Sequence, residues 1–146
     1  AAQLDGKKHR VVCLLSDGDC NEGSTWEAVL FAAQHRLDNL IAIVDYNRVQ
    51  ALGPMAEIIE MEPFAEKMAL FGWSCRTIDG HDCQEIERCL AGLPFEQGKP
   101  SWVLAKTVKG KGIKRLEGTV GSHYGGCIVG DEQYEQASAE ILRADR

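Results

Sequence analysis

Two short runs of apolar, partly β-branched residues constrain this chain more than anything else in it. The first is Val11, Val12, Cys13, Leu14 and Leu15, followed at once by Ser16, Asp17, Gly18 and Asp19. The second is Leu40, Ile41, Ala42, Ile43 and Val44, followed by Asp45, Tyr46 and Asn47. Runs of this kind suit strands buried on both faces of a parallel sheet. Between them, Ser24 with Glu27 three residues on reads as a capping box. Trp26, Val29, Leu30, Ala33 and Leu37 then make the apolar stripe of a helix laid on a sheet. Strand, helix and strand form a βαβ unit, whose right-handed crossover puts both polar exits on one edge. In open α/β sheets that carboxyl edge is where ligands bind.

Asp17 and Asn47 therefore face one crevice. A carboxylate and an amide oxygen are small, hard donors of the kind Mg²⁺ takes while keeping places for water and substrate phosphate. Gly18, without a Cβ, lets the backbone come close to such a phosphate. The free N–H groups at the start of the helix near Ser24 add positive potential. Taken alone, Asp17 and Asn47 would each be ordinary turn residues. Their places at the ends of paired strands favour metal binding.

The rest of the chain continues the α/β pattern. Pro63 at a first helical position, with Phe64, Met68, Phe71 and a closing Gly72, marks a second helix. Residues 73–78 read as a third strand, ending in Asp79, Gly80, His81 and Asp82. Asp82 caps a helix with Glu85 three residues on, and Ile86, Leu90 and Leu93 line its buried face. Residues 102–105 are a fourth strand, feeding a glycine- and lysine-rich loop over 106–115. Gly110 and Gly112 give that loop freedom to close, and Lys106 is its best candidate for meeting phosphate. A last helix spans about 131–144. His81 reads as structural, at a helix cap.

These pieces, taken in order, resemble the thiamine-diphosphate (ThDP) enzymes and among them transketolase. The family motif is Gly-Asp-Gly followed by Asn about thirty residues on. It stands here as Ser16, Asp17, Gly18 and Asn47, with serine replacing the first glycine and Tyr46 preceding the asparagine. Glu22-Gly23, Trp26-Glu27-Ala28, residues 37–44, Phe71-Gly72-Trp73, residues 78–82 and residues 106–112 extend the likeness across most of 1–130. The resemblance implies that Asp17 and Asn47 ligate Mg²⁺ through side chains and Val49 through its carbonyl, with Gly18 on the ThDP diphosphate; Lys106 stays the loop's own candidate for the cofactor or a sugar phosphate. It implies that Glu22 lies in a network at a subunit interface and that His123, within Ser122-His123-Tyr124-Gly125, reaches diphosphate and substrate. Glu22 could equally serve only the dipole of the following helix.

The implied fold is a parallel sheet with helices on both faces, the diphosphate-domain fold, incomplete at its N-terminus. The implied chemistry moves a two-carbon ketol unit from a ketose phosphate to an aldose phosphate. In the family a separate pyrimidine-binding domain completes the cofactor site across a dimer, so this chain is expected to need a complementary pyrimidine-binding subunit in a homo- or hetero-oligomer. Two other ThDP enzymes, a 2-oxoacid dehydrogenase component and a deoxyxylulose-phosphate synthase, stay open, as does a non-catalytic α/β module.

A length of 146 residues is expected to make a single domain over 1–146 with a real core. The net charge of −6 argues against nucleic acid as main partner. The sequence has no signal peptide and no run long enough for a membrane span, so a cytoplasmic location is expected. Six cysteines, at 13, 20, 75, 83, 89 and 127, show no zinc or redox spacing and read as reduced packing residues.

Overall fold

Both apolar runs are strands in the computed structural model, which describes residues 1–124, 128 and 130–144. In chain order the elements are β1 (Val11–Ser16), α1 (Gly23–Gln34), β2 (Leu40–Tyr46), β3 (Val49–Gln50), β4 (Gly53–Pro54) and α2 (Met55–Ile58). They continue with α3 (Phe64–Leu70), β5 (Ser74–Asp79), α4 (Cys83–Ala91), β6 (Ser101–Lys106) and α5 (Asp131–Ala144). The chain divides into two compact units: Ala1–Tyr46 with Met61–Lys106, and Asn47–Glu60 with Thr107–Arg146.

The first unit is a four-stranded, wholly parallel sheet in the order β1-β2-β6-β5. Alternation along the strands sends side chains to two faces. On one face Ile41, Ile78, Val103 and Ala105 pack with Cys89 and Leu93, and Ile86 and Leu90 of α4 close over them. On the other, edge-to-face rings run from Tyr46 to Phe64, Phe64 to Trp102 and Trp102 to Trp73, with centroids 5.7, 5.7 and 5.3 Å apart. Each such pair adds about 0.5–1.5 kcal/mol to simple burial. The Trp73 indole donates to the Val29 carbonyl at 3.0 Å, tying α1 to this face. Helices thus cover both faces, as the sequence implied.

Three local expectations change. β1 is not buried on both faces: Val11, Val12 and Leu14 are 45, 59 and 73 % exposed, because β1 is the outer strand of the described sheet. The capping box at Ser24 does not form. α1 begins two residues earlier than that cap implies, at Gly23, with extended Glu22 in the N-cap position and no side-chain cap. Its buried stripe also shifts, with Ala32 enclosed and Leu30 exposed. Pro63 stands just before α3 rather than as its first residue, and the Glu62 carboxylate accepts the Phe64 N–H at 3.0 Å. By contrast, Asp82 caps α4 as expected, accepting from the N–H groups of Gln84 and Glu85 at 2.8 and 3.1 Å.

In the second unit β3 and β4 form a short antiparallel hairpin. The Tyr124 hydroxyl donates to the Ala51 carbonyl at 2.7 Å. Most of the basic loop folds into successive turns, closed by Gly118 N–H on the Lys109 carbonyl at 2.8 Å. Gly110 makes that closure possible: its φ is +76°, and a Cβ there would come within 2.7 Å of the Leu116 carbonyl oxygen. The glycine serves compaction rather than the freedom to close expected from sequence. The Glu140 carboxylate accepts the Lys114 N–H at 2.8 Å and joins α5 to this loop.

The two cap positions predict different costs. Asp82→Ala should lower urea-unfolding stability by about 1 kcal/mol, whereas Ser24→Ala should stay within about 0.5 kcal/mol. Equal losses at both positions would contradict this assignment of the caps.

Candidate functional site

Parallel pairing brings several polar exits to one rim of the first unit. Ser16 pairs with Asp45, so Asp17 follows at the level where β2 ends in Tyr46. Tyr46 pairs with Lys106, and Lys106 with Asp79. Asp17, Tyr46, Lys106 and Asp79 therefore share the carboxyl edge. Asp17 is 2 % exposed, one of only two buried polar or charged residues among those described. A carboxylate so enclosed requires compensating polar or cationic partners. Lys106 is exposed.

The turn after β1 is built around that carboxylate. Residues Gly18–Asn21 form a 3-10 turn beginning at Asp17, whose carbonyl accepts the Cys20 N–H at 3.2 Å. Ser16 and Asp19 bracket the turn reciprocally: Ser16 N–H donates to the Asp19 carboxylate at 2.7 Å, and Asp19 N–H to the Ser16 hydroxyl at 3.1 Å. The Asp19 carbonyl also accepts the Thr25 hydroxyl at 2.7 Å, and the Cys20 carbonyl accepts the Trp26 indole at 3.0 Å. Asp19 thus serves as a structural bracket of the turn. Glu22 is exposed at the head of α1.

Asn47 follows β2 directly and opens the second unit. Its side-chain carbonyl accepts the Val49 N–H at 3.0 Å, closing an Asx turn. Between them Arg48 has φ +63°, a left-handed conformation rare for a non-glycine residue. Such strain persists only where surrounding structure imposes it, and it concentrates at ligand sites. Val49 stands opposite Pro54, and the adjacent main-chain bond runs from the Met55 N–H to the Arg48 carbonyl at 2.9 Å, so the Val49 carbonyl points away from the partner strand. A carboxylate, an amide oxygen and a main-chain carbonyl are each oxygen donors of the kind Mg²⁺ prefers; Asp17 belongs to the first unit, Asn47 and Val49 to the second. His123 ends a 3-10 turn in the second unit, exposed, with its ring 5.6 Å from that of Tyr124. Gly125 of the same motif lies outside the described residues, as does Cys127. His81 is exposed before α4, its N–H on the Asp79 carboxylate at 2.8 Å.

Comparison with known proteins gives the family. Residues 3–141 match the family model described as transketolase, thiamine diphosphate binding domain. A 6-deoxy-6-sulfo-D-fructose transketolase subunit of Clostridium sp. (strain MSTE9) is 40 % identical over 97 % of this chain and 50 % of its own length. The chain belongs to the transketolase thiamine-diphosphate-binding family. An apulose-4-phosphate transketolase subunit of Phocaeicola vulgatus is 34 % identical over the same shares, 97 % and 50 %. The chain thus spans about half the length of these curated relatives. The crystal structure of Campylobacter jejuni transketolase superimposes with a TM-score of 0.82 and 33 % identity, covering 93 % of this chain and 21 % of that one.

Within this transketolase-type domain, two features escaped sequence reasoning. One is the Ser16–Asp19 bracket, whose signal was the serine standing where the motif has glycine. The other is Glu62, which accepts the Tyr46 hydroxyl at 2.8 Å with one oxygen and the Phe64 N–H with the other. It clamps the end of β2 to the start of α3, and nothing in the local pattern marks it.

The five cysteines among the described residues are free thiols. Burial first, then the Asp19 and Asp17 carboxylates, push the Cys20 thiol up to about 12. Folding therefore favours protonated Cys20 over an unfolded thiol near 9.0. Its contribution is complete below pH 9 and is lost as pH rises from about 9 towards 12. Between pH 8.5 and 10.5 the native stability should fall, and Cys20→Ala should flatten that slope in urea unfolding. An unchanged slope would contradict the assignment.

Proposed function

We propose that the chain is the diphosphate-holding part of a transketolase-type subunit, gripping ThDP through Mg²⁺ bound by Asp17, Asn47 and the Val49 carbonyl. The observation that carries this reading is the Asp17 carboxylate enclosed at the exit of β1, within a chain matched to the family over residues 3–141. Asp17 offsets the charge of the metal. Neutral Asn47 leaves part of that charge for the diphosphate, and Gly18 admits its oxygens to the backbone. Lys106, at the end of β6, supplies a mobile cation to phosphate. In this reading residues 1–146 work as one partial diphosphate-binding domain.

Bound ThDP supplies the nucleophilic carbon on which a two-carbon ketol unit travels from ketose phosphate to aldose phosphate. The protein supplies placement. His123 hydrogen-bonds diphosphate and substrate, and Glu22 enters the contact between subunits. Turnover requires a complementary pyrimidine-binding polypeptide. Relatives named as subunits of sugar transketolases support both a divided enzyme and sugar phosphate substrates. No helix among the described residues is long and apolar enough to cross a membrane.

Calorimetry of ThDP with Mg²⁺, in the complex with the pyrimidine-binding partner, tests the reading. Asp17→Ala and Asn47→Ala should each weaken binding by about 100-fold or more while circular dichroism stays unchanged. Wild-type affinity in both variants would overturn it. The same complex should accept ketose phosphates and refuse pyruvate as donor.

A further inference from the structure

Two adjacent residues, Met61 and Glu62, reach both strand exits that carry the candidate ligands. Met61 is buried, and its sulfur accepts the Asn21 side-chain amide at 3.4 Å. Asn21 closes the 3-10 turn that opens at Asp17. The Glu62 carboxylate accepts the hydroxyl of Tyr46, the last residue of β2, at 2.8 Å. Asn47 is the next residue in the chain. The ladder between β1 and β2 ends at Ser16 and Asp45, so the stretch ties the two exits just beyond the last paired residues.

The helix α3 holds this stretch in place. The second Glu62 oxygen accepts the Phe64 N–H at 3.0 Å, and Lys67 Nζ donates to the Met61 carbonyl at 2.8 Å. The Phe64 ring meets the Tyr46 ring edge-on, with centroids 5.7 Å apart. Tyr46 and Phe64 are both fully enclosed, and a close-packed core resists displacement of either ring. All these residues belong to the first unit. A stretch bonded to two strand exits and pinned to a packed helix fixes the separation of those exits.

Metal chemistry makes that separation matter. Mg²⁺ demands a near-ideal octahedron of oxygens at about 2.0–2.1 Å, whereas Ca²⁺ takes more oxygens at about 2.3–2.6 Å in a looser geometry. We propose that Met61–Glu62 is a positioning strap that sets the preference of the site for Mg²⁺ over larger divalent cations, with Glu62 and Tyr46 its decisive pair. The strap acts through the Asp17 turn and through Tyr46 rather than by ligating the ion. The proposal rests on the assignment of Asp17 and Asn47 as ligands.

Calorimetry of ThDP in the complex with the pyrimidine-binding partner, run with Mg²⁺ and then with Ca²⁺, tests the strap. Tyr46→Phe keeps the buried ring and removes only the hydroxyl. It should weaken ThDP binding about tenfold with Mg²⁺ and less than about threefold with Ca²⁺, while circular dichroism stays unchanged. Glu62→Ala should shift the ion preference in the same direction. Glu62→Gln, which still offers an oxygen to the Phe64 N–H and an amide N–H to Tyr46, should restore it. Asp38→Ala removes a tie of similar kind ahead of β2, where the Asp38 carboxylate accepts the Gly98 N–H at 3.1 Å. It should lower stability in urea and leave the ion preference as in the wild type. Equal losses with the two ions, a shifted preference in Asp38→Ala, or wild-type binding by Tyr46→Phe would overturn the proposal. Asp17→Ala separates the two levels. Wild-type affinity there would sink the ligand assignment and the strap with it; lost affinity there, beside wild-type behaviour of Tyr46→Phe, would sink the strap alone.

Discussion

Parallel pairing decides where every strand of this sheet ends, and the candidate chemistry follows from those ends. With β1, β2, β6 and β5 all running the same way, their carboxyl termini collect on one rim, which carries Asp17, Tyr46, Lys106 and Asp79. An antiparallel arrangement of the same segments would scatter them between opposite rims. The crossing helices are what hold the strands parallel, and the aromatic series from Tyr46 to Trp73 fixes α3 and the α1-side face against them. The packing is therefore not separable from the site: the rings that fill the core also anchor the strand ends.

The enclosed Asp17 carboxylate is the costly element in this design. Burying a charge requires partners and a rigid frame. The frame is visible in the Ser16–Asp19 bracket and the short 3-10 turn leading into α1. Its electrostatic consequence reaches Cys20, whose thiol is held protonated by burial and by the neighbouring carboxylates. A cation placed there would relieve that negative field. The left-handed Arg48 between Asn47 and Val49 is a second local cost of the same kind, sited between two proposed ligands.

Much of this was legible in the sequence. The apolar runs, the βαβ order and the Asp82 cap follow from rules acting over a few residues, and the structure reproduces them. What failed depended on information no local pattern contains. Val12 and Leu14 read as buried because their chemistry states what they should touch, not whether the neighbour is there. Ser24 read as a cap because its spacing to Glu27 is right, but the Ser16–Asp19 bracket starts the helix earlier. Glu62 was invisible because its two partners, Tyr46 and Phe64, are brought together only by the fold. Asp17 and Asn47 were singled out by pattern and likeness together, since each alone is a common turn residue.

The central claim is that oxygen donors from Asp17, Asn47 and Val49 hold a divalent ion against the ThDP diphosphate. Mn²⁺ accepts the same ligands as Mg²⁺ and broadens nearby nuclear resonances. In the complex with the pyrimidine-binding partner, with ThDP present and Mn²⁺ replacing Mg²⁺, the amide signals of Gly18, Asn47 and Val49 should broaden first. Broadening centred elsewhere, such as the acidic first turn of α5 at Asp131 and Glu132, or none at these three residues, would contradict the account.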